Sequence, residues 1–205
     1  MALLDDTSHA LIHAARELFA RHGYDGASVR AITARAGANL GAVNYHFGSK
    51  RALFEAAIGS FAEGARQRIQ QTATRPGTSL ERIEALVRTF FAYLHENLDL
   101  PRLMMHILAG PDPIPESLLR PIESNYVTLA RLIEEGQEDG SIRPGDARMM
   151  ALSIAAQPIW LALARRVLRE GMYVDQDRPE VRERLVESVV AFVRAGLAAH
   201  PEDAR

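Results

Sequence analysis

The chain has 205 residues, 47% hydrophobic and 24% charged, the composition of an ordinary globular protein able to bury one large core or two modest ones. A net charge of −2 excludes histone-like binding driven by bulk positive charge, so any contact with DNA must come from a local surface and from helix dipoles. The absence of cysteine excludes disulfides, thiolate metal sites and thiol redox sensing, and the acidic opening MALLDD lacks an apolar segment, so no secretory signal is expected.

The first informative segment is Ser28 to Lys50, SVRAITARAGANLGAVNYHFGSK. Val29, Ile32 and Ala36 recur with the period of one helix face, and the Ser28 hydroxyl stands where it can cap the first turn. Gly37 ends this helix, because glycine takes positive φ without a Cβ penalty, and a turn through Ala38 and Asn39 starts a second helix at a steep angle. That second helix, Leu40 to Phe47, buries Val43 and Phe47 and leaves Leu40, Gly41 and Asn44 outside, with Tyr45 and His46 following. Short outer side chains let a helix enter a major groove, where an Asn amide pairs bidentately with adenine and an apolar group touches a thymine methyl. Ser49 reads as the cap of a third helix carrying Leu53, Phe54, Ala57, Ile58 and Phe61. Lys50 in its first turn adds a cation to a helix N-terminus, which makes a phosphate site.

Beyond this segment the chain divides at its breakers. TATRPGT, residues 72–78, closes the long helix through Pro76-Gly77. Leu80 to Leu98 has Ile83, Leu86, Val87, Phe90, Phe91 and Leu94 at helical spacing, and Pro101 opens a short helix with Leu103, Met104, Ile107 and Leu108. GPDPIP, residues 110–115, is a second breaker; Leu118 to Glu138 follows as a helix interrupted near Pro121. Met149 to Ala164 is nearly all apolar but shorter than the about 20 residues a membrane span needs, and reads as a helix buried from several sides with Pro158 as its kink or break. It belongs to an apolar helix pair, Asp146 to about Arg169. Pro179 opens a last helix, Val181 to Ala199. No strand-period segment appears, so the expected fold class is all-α with about nine or ten helices. In the last helix Val181, Leu185, Val189, Phe192 and Gly196 form one stripe and Val186, Val190, Val193 and Leu197 another. A helix apolar on more than one face can meet a partner, and packing of both stripes within the monomer is the alternative.

The stretch from about Leu11 to Phe61, with ARELFARHGYDGASVRAITARAGANLGAVNYHFGSKRALFEAAI, resembles the N-terminal DNA-binding domain of the TetR family of bacterial transcriptional repressors. Arg16, Leu18, Phe19, Gly23, Tyr24, Ala34, Gly37, Tyr45, His46, Phe47, Lys50 and Leu53 match in register without a gap, and NYHFGSK is similar to the CecR-like members. The resemblance implies a helix-turn-helix domain over residues 1–65 and an effector and dimerisation domain over 66–205. It also implies a homodimer through the last two long helices, double-stranded operator DNA as partner, a small-molecule effector and a cytoplasmic location.

Candidate base contacts are Arg30, placed by the resemblance on the earlier helix, and Asn39, Leu40, Gly41 and Asn44 on the exposed face. Ser28, Tyr45, His46 and Lys50 are candidates for phosphate contact, which positions a helix without reading sequence. Bland alternatives stand beside them: a solvated Arg30, a capping Asn39, a Tyr45 packed in the core. Up to Arg51 the basic Arg16, Arg21, Arg30, Arg35, Lys50 and Arg51 slightly outnumber Asp5, Asp6, Glu17 and Asp25. For the effector pocket implied by the resemblance, candidate lining groups are Phe91, His95, Met104, Met105, His106, Tyr126, Gln157, Trp160 and Arg165, although Met and aromatic residues at helical spacing also serve as plain core. No catalytic constellation is expected: HExxH, a phosphate-binding glycine loop and GxSxG are all missing. His9 and His13 sit four apart without a visible third ligand, so neither a metal nor a cofactor is expected. The rival readings are a helical interaction module that keeps the helix pair as a scaffold, and a ligand-gated activator.

Overall fold

The computed structural model describes residues 6–111 and 113–199; the acidic start up to Asp5, and Asp112 within GPDPIP, lie outside them. Ten helices follow one another among the described residues: α1 (Asp6–Gly26), α2 (Val29–Ala36), α3 (Ala42–Phe47), α4 (Lys50–Ala73), α5 (Ser79–Glu96), α6 (Asp99–Ala109), α7 (Glu116–Glu138), α8 (Ala147–Leu163), α9 (Arg165–Gly171) and α10 (Pro179–Leu197). One isolated bridge joins Ile142 to Ala198. The fold is all-α, as the periodicities require. The chain forms two compact units, one of the chain up to Gly64 with Asn97–Pro121, the other of Ala65–Glu96 with the chain from Ile122 onward.

In the first unit α1 packs on α2, α3 and α6. Leu11, Ala15 and Phe19 of α1, Ile32 of α2, Val43 of α3 and Leu53, Phe54, Ile58 and Phe61 of α4 are buried. Phe19 meets Phe54 edge-on at 5.0 Å, and Tyr24 closes the cluster at 5.0 Å from Phe54. The caps are those the sequence calls for. The Ala31 N–H donates to Ser28 Oγ (3.1 Å), and the Ala52 N–H donates to Ser49 Oγ (3.1 Å). Gly37 ends α2 at φ 67°, with its own N–H and that of Ala38 turned back onto the Ala34 and Thr33 carbonyls. A β carbon at Gly37 would meet nothing within 4 Å, so Gly37→Ala isolates the backbone cost of a left-handed residue. We expect a loss of about 1 kcal/mol, read by calorimetry as a melting temperature lower by roughly 2–4 °C. An unchanged melting temperature would mean that the turn relaxes without strain.

The second helix of the pair is shorter than its sequence suggests. It begins at Ala42, and Asn39, Leu40 and Gly41 form the preceding turn, in which the Ala42 N–H donates to the Asn39 carbonyl (3.1 Å). Glycine at 41 opposes helix, no side chain caps the start, and a nucleus that costs conformational entropy forms only where Ala42 and Val43 are buried.

The second unit is built around Ile83, Val87 and Phe91 of α5, Leu132 and Ile133 of α7, Ala151 and Ile154 of α8, and Val190, Val193 and Leu197 of α10. A capping box starts α5: the Thr78 N–H donates to Glu81 Oε2 (2.9 Å) and the Glu81 N–H to Thr78 Oγ1 (3.2 Å). Buried Glu84 on α5 lies 2.5 Å from Arg194 of α10 and 3.7 Å from Arg88, which forks onto Glu187 of α10 at 2.9 and 2.8 Å. This chain of charges fixes α10 along α5.

Two expectations fail in this half of the sequence. Helix α7 runs unbroken through Pro121, its sixth residue, because losing one backbone bond to Ser117 costs less than exposing Leu118 and Pro121, both buried. The apolar Met149–Ala164 segment is not buried from several sides. Ala147, Ala151, Ile154 and Pro158 of α8 face the core, whereas Met149, Leu152 and Trp160 are exposed, Trp160 by 63%. Nor does it break at Pro158, whose ring is buried; the break falls at Ala164, before Arg165, and turns α9 by 63° from α8. Among the described residues no single helix is long and apolar enough to cross a membrane. In α10 the stripe Val190, Val193, Leu197 is buried together with Val189, while Phe192 is 69% exposed.

Candidate nucleic-acid interface

The turn 39–41 and α3 present one outward face, held on the first unit by Ala42 and Val43 beneath it. Leu40 (61% exposed), Gly41 and Asn44 lie on that face with Asn39 beside them. The Asn39 side chain does not cap α3, whose N-cap position is taken by Gly41 without a side-chain bond. Neither Asn39 nor Asn44 hydrogen-bonds through its amide to any other described residue, so both carry a full set of donors and acceptors outward. Tyr45 is 85% exposed, which excludes the core-packing alternative. Phe47 is half-buried.

His46 turns the other way. It is half-buried, and its Nδ1 lies 3.1 Å from the hydroxyl of buried Ser8 on α1, so its ring ties α3 to α1. That tie joins residues 38 positions apart, which no local pattern reveals. Ser28 spends its hydroxyl on the α2 cap, leaving the exposed first turn of α2 with Arg30 beside it. Lys50 opens α4 with its ammonium 4.5 Å above the Tyr24 ring, a cation–π contact that holds the charge at the helix N-terminus.

The basic residues up to Arg51 divide into two groups. Arg16 stacks on Phe61, 3.4 Å from the ring centre, and donates to Asn97 Oδ1 (2.7 Å), so it is a structural tie. Arg21 and Arg35 share Glu17 at 3.3 and 2.9 Å, and Arg51 pairs with Glu55 at 3.0 Å. Arg30 and Lys50 remain without a carboxylate partner among the described residues. Exposed pairs such as Arg35–Glu17 are worth less than about 1 kcal/mol and yield to a phosphate, so the immediate cationic complement is small and extensible.

The candidate lining groups of the effector pocket are divided between the two compact units. Met104, Met105 and His106 lie on α6 in the first unit; Met105 and His106 are exposed, and the His106 ring lies 3.5 Å from where a β carbon on Gly23 would stand. The others are in the second unit. Phe91 is part of the core, the Tyr126 hydroxyl donates to the Arg148 carbonyl (3.1 Å), and Arg165 pairs with Asp177. His95 is half-buried, and Trp160 is exposed. Gln157 lines an open groove of about 450 Å³ between α8 and α10, with Met149, Met150, Ser153, Ile154 and Phe192. Sequence periodicity marked Phe192 as apolar but could not show that a groove lies beside it.

Residues 11–57 match the family described as bacterial regulatory proteins, tetR family, and residues 80–193 match the family described as Tetracyclin repressor-like, C-terminal domain. The chain is 25% identical over 197 residues to the HTH-type transcriptional activator FasR of Mycolicibacterium smegmatis, covering 96% of this chain and 85% of that protein. It is 26% identical over 142 residues to the HTH-type transcriptional regulator UidR of Escherichia coli strain K12, covering 67% and 70%. Among solved structures, the fatty acid degradation regulator FadR from Bacillus halodurans shares the fold with a TM-score of 0.80 and 18% identity, over 97% of this chain and 100% of that one.

Proposed function

The chain belongs to the TetR family of bacterial transcriptional regulators, and from that premise we propose that it is a non-catalytic, sequence-specific cytoplasmic repressor that a small molecule releases from DNA. One observation carries the DNA reading: an outward face, made by the turn 39–41 and α3, whose two amides, Asn39 and Asn44, are exposed and unspent beside Leu40 and Gly41. Asn39, Leu40, Gly41 and Asn44 read base edges, with Arg30 reaching from α2; Tyr45, Lys50 and the first turn of α2 at Ser28 grip phosphates, and His46 sets the helix against α1.

One short helix reads too few bases for specificity, so the working unit is a homodimer on a palindrome with half-sites about 34 Å, or a multiple of that, apart. The exposed Met149, Leu152, Trp160 and Phe192 on α8 and α10 support a pairing of these helices across a two-fold axis. Effector binding in the second unit changes the spacing of the two recognition helices, with α4, which runs on from Lys50 to Ala73, as the lever. A differential affinity of a few kcal/mol suffices. The 25% identity to an activator over nearly the whole chain favours a second reading, in which the same ligand-gated contact recruits transcription.

A gel shift with the DNA flanking its own gene tests the proposal. Salt-dependent binding to a palindromic segment is expected; absent or salt-independent binding would favour an interaction module that keeps the helix pair only as a scaffold.

A further inference from the structure

Lys50 is the only lysine in the sequence; every other strongly basic residue is an arginine. The ring beneath its ammonium is placed by a break in α1. Buried Gly23 takes φ 70° and ψ 179° inside the helix, a conformation open to a residue without a β carbon. The chain leaves the line of α1 there, with the His106 ring of α6 3.5 Å from where a β carbon on Gly23 would stand. The next residue, Tyr24, stacks on Phe19 of α1 at 5.9 Å and meets Phe54 of α4 edge-on at 5.0 Å. Its ring is thus held from two helices, half-buried, and the Lys50 ammonium lies 4.5 Å above it. Arg51 stands further off, 6.0 Å from the same ring, and is paired with Glu55 at 3.0 Å.

An aromatic ring does for this lysine what a carboxylate could not. Either partner would order the flexible four-carbon stem, whose rotamer freedom is otherwise lost when the cation is fixed on a phosphate. A carboxylate would also cancel the charge that the phosphate needs. The ring attracts the ammonium through its quadrupole and leaves the net charge whole, and no carboxylate pairs with Lys50 among the described residues.

We propose that Tyr24 is a positioning residue for DNA binding: its ring orders the Lys50 side chain in advance, so that a backbone phosphate meets a cation already in place. The inference rests on reading Lys50 as a phosphate contact.

The single lysine makes the pairing readable without DNA. In protein labelled with carbon-13 lysine, the ring current of Tyr24 should move the Lys50 side-chain protons upfield of their positions in the free amino acid. Tyr24→Phe should keep that shift and Tyr24→Leu should lose it. Affinity is then measured on a mixed-sequence DNA duplex, because phosphate contacts carry no sequence information. Tyr24→Leu should weaken binding roughly threefold to tenfold, the worth of one cation–π contact. The salt slope should stay as it is, since the charge remains, and Tyr24→Phe should bind as the wild type does. In a Lys50→Ala background Tyr24→Leu should have no further effect, whereas lost packing against Phe19 and Phe54 would weaken binding by the same factor in both backgrounds. Lys50 protons at their free positions in the wild type, unchanged or tighter binding in Tyr24→Leu, an equal loss in Tyr24→Phe, or a Tyr24→Leu effect that survives without Lys50 would each overturn the role. A wild-type protein that shows the upfield shift and binds no duplex would sink the regulator reading itself, and the positioning role with it.

Discussion

Phe192→Glu is expected to yield a folded monomer that no longer recognises its operator. Phe192 is 69% exposed on α10, so glutamate there leaves the core of Val189, Val190, Val193 and Leu197 untouched. Beside it lies the groove of about 450 Å³ lined by Met149, Ile154 and Gln157, and Trp160 is exposed further along α8. If these surfaces meet across a two-fold axis, each substitution enters the interface twice. A desolvated, unpaired carboxylate costs several kcal/mol, enough to dissociate a dimer of ordinary affinity. Operator affinity should then fall by on the order of 10³-fold, toward non-specific binding, because one recognition helix remains for each half-site. Sedimentation velocity at micromolar concentration reads the assembly, and circular dichroism checks that the helices persist. A wild-type protein that sediments as a monomer, or a variant that stays dimeric, would remove the α8–α10 pairing.

The parts of the fold that were legible in the sequence are those set by local chemistry. Ser28, Gly37 and Ser49 mark helix ends through their own hydroxyls or their own φ, and Pro179 stands at the first turn of α10 as a proline should. What failed depended on neighbours distant in sequence. Pro121 and Pro158 look like breaks, yet buried flanking residues carry both helices through. The apolar run from Met149 looks like core because composition cannot say how many sides of a helix the chain itself covers. The same limit applies at the site. Asn44 is exposed because Ala42 and Val43 are buried beside it, which the period of the helix predicts. Arg16 counts as a positive charge in the sequence, but stacking on Phe61 and bonding to Asn97, 81 positions away, make it a tie within the first unit.

Two substitutions on the helix pair should separate grip from reading. Lys50→Ala is expected to weaken binding to every DNA sequence alike and to flatten the dependence of log K on log salt by about one ion per subunit, because one phosphate contact with its counterion release is lost. The ammonium rests 4.5 Å above Tyr24 and belongs to no ion pair among the described residues, so its removal should leave the fold intact. Asn44→Ala removes no charge. Its expected signature is an unchanged salt slope with about 1–3 kcal/mol lost on the preferred operator and little on sequences altered at the contacted base pair, so that discrimination at that position disappears. Fluorescence anisotropy over a salt series, with the operator and its single-base variants, reads both quantities at once. A Lys50→Ala protein with the wild-type salt slope would take the phosphate role away from Lys50. An Asn44→Ala protein that keeps its base preference would move the reading to Asn39 and Leu40, the exposed residues of the turn before α3, and the recognition surface would then be the turn and not the helix.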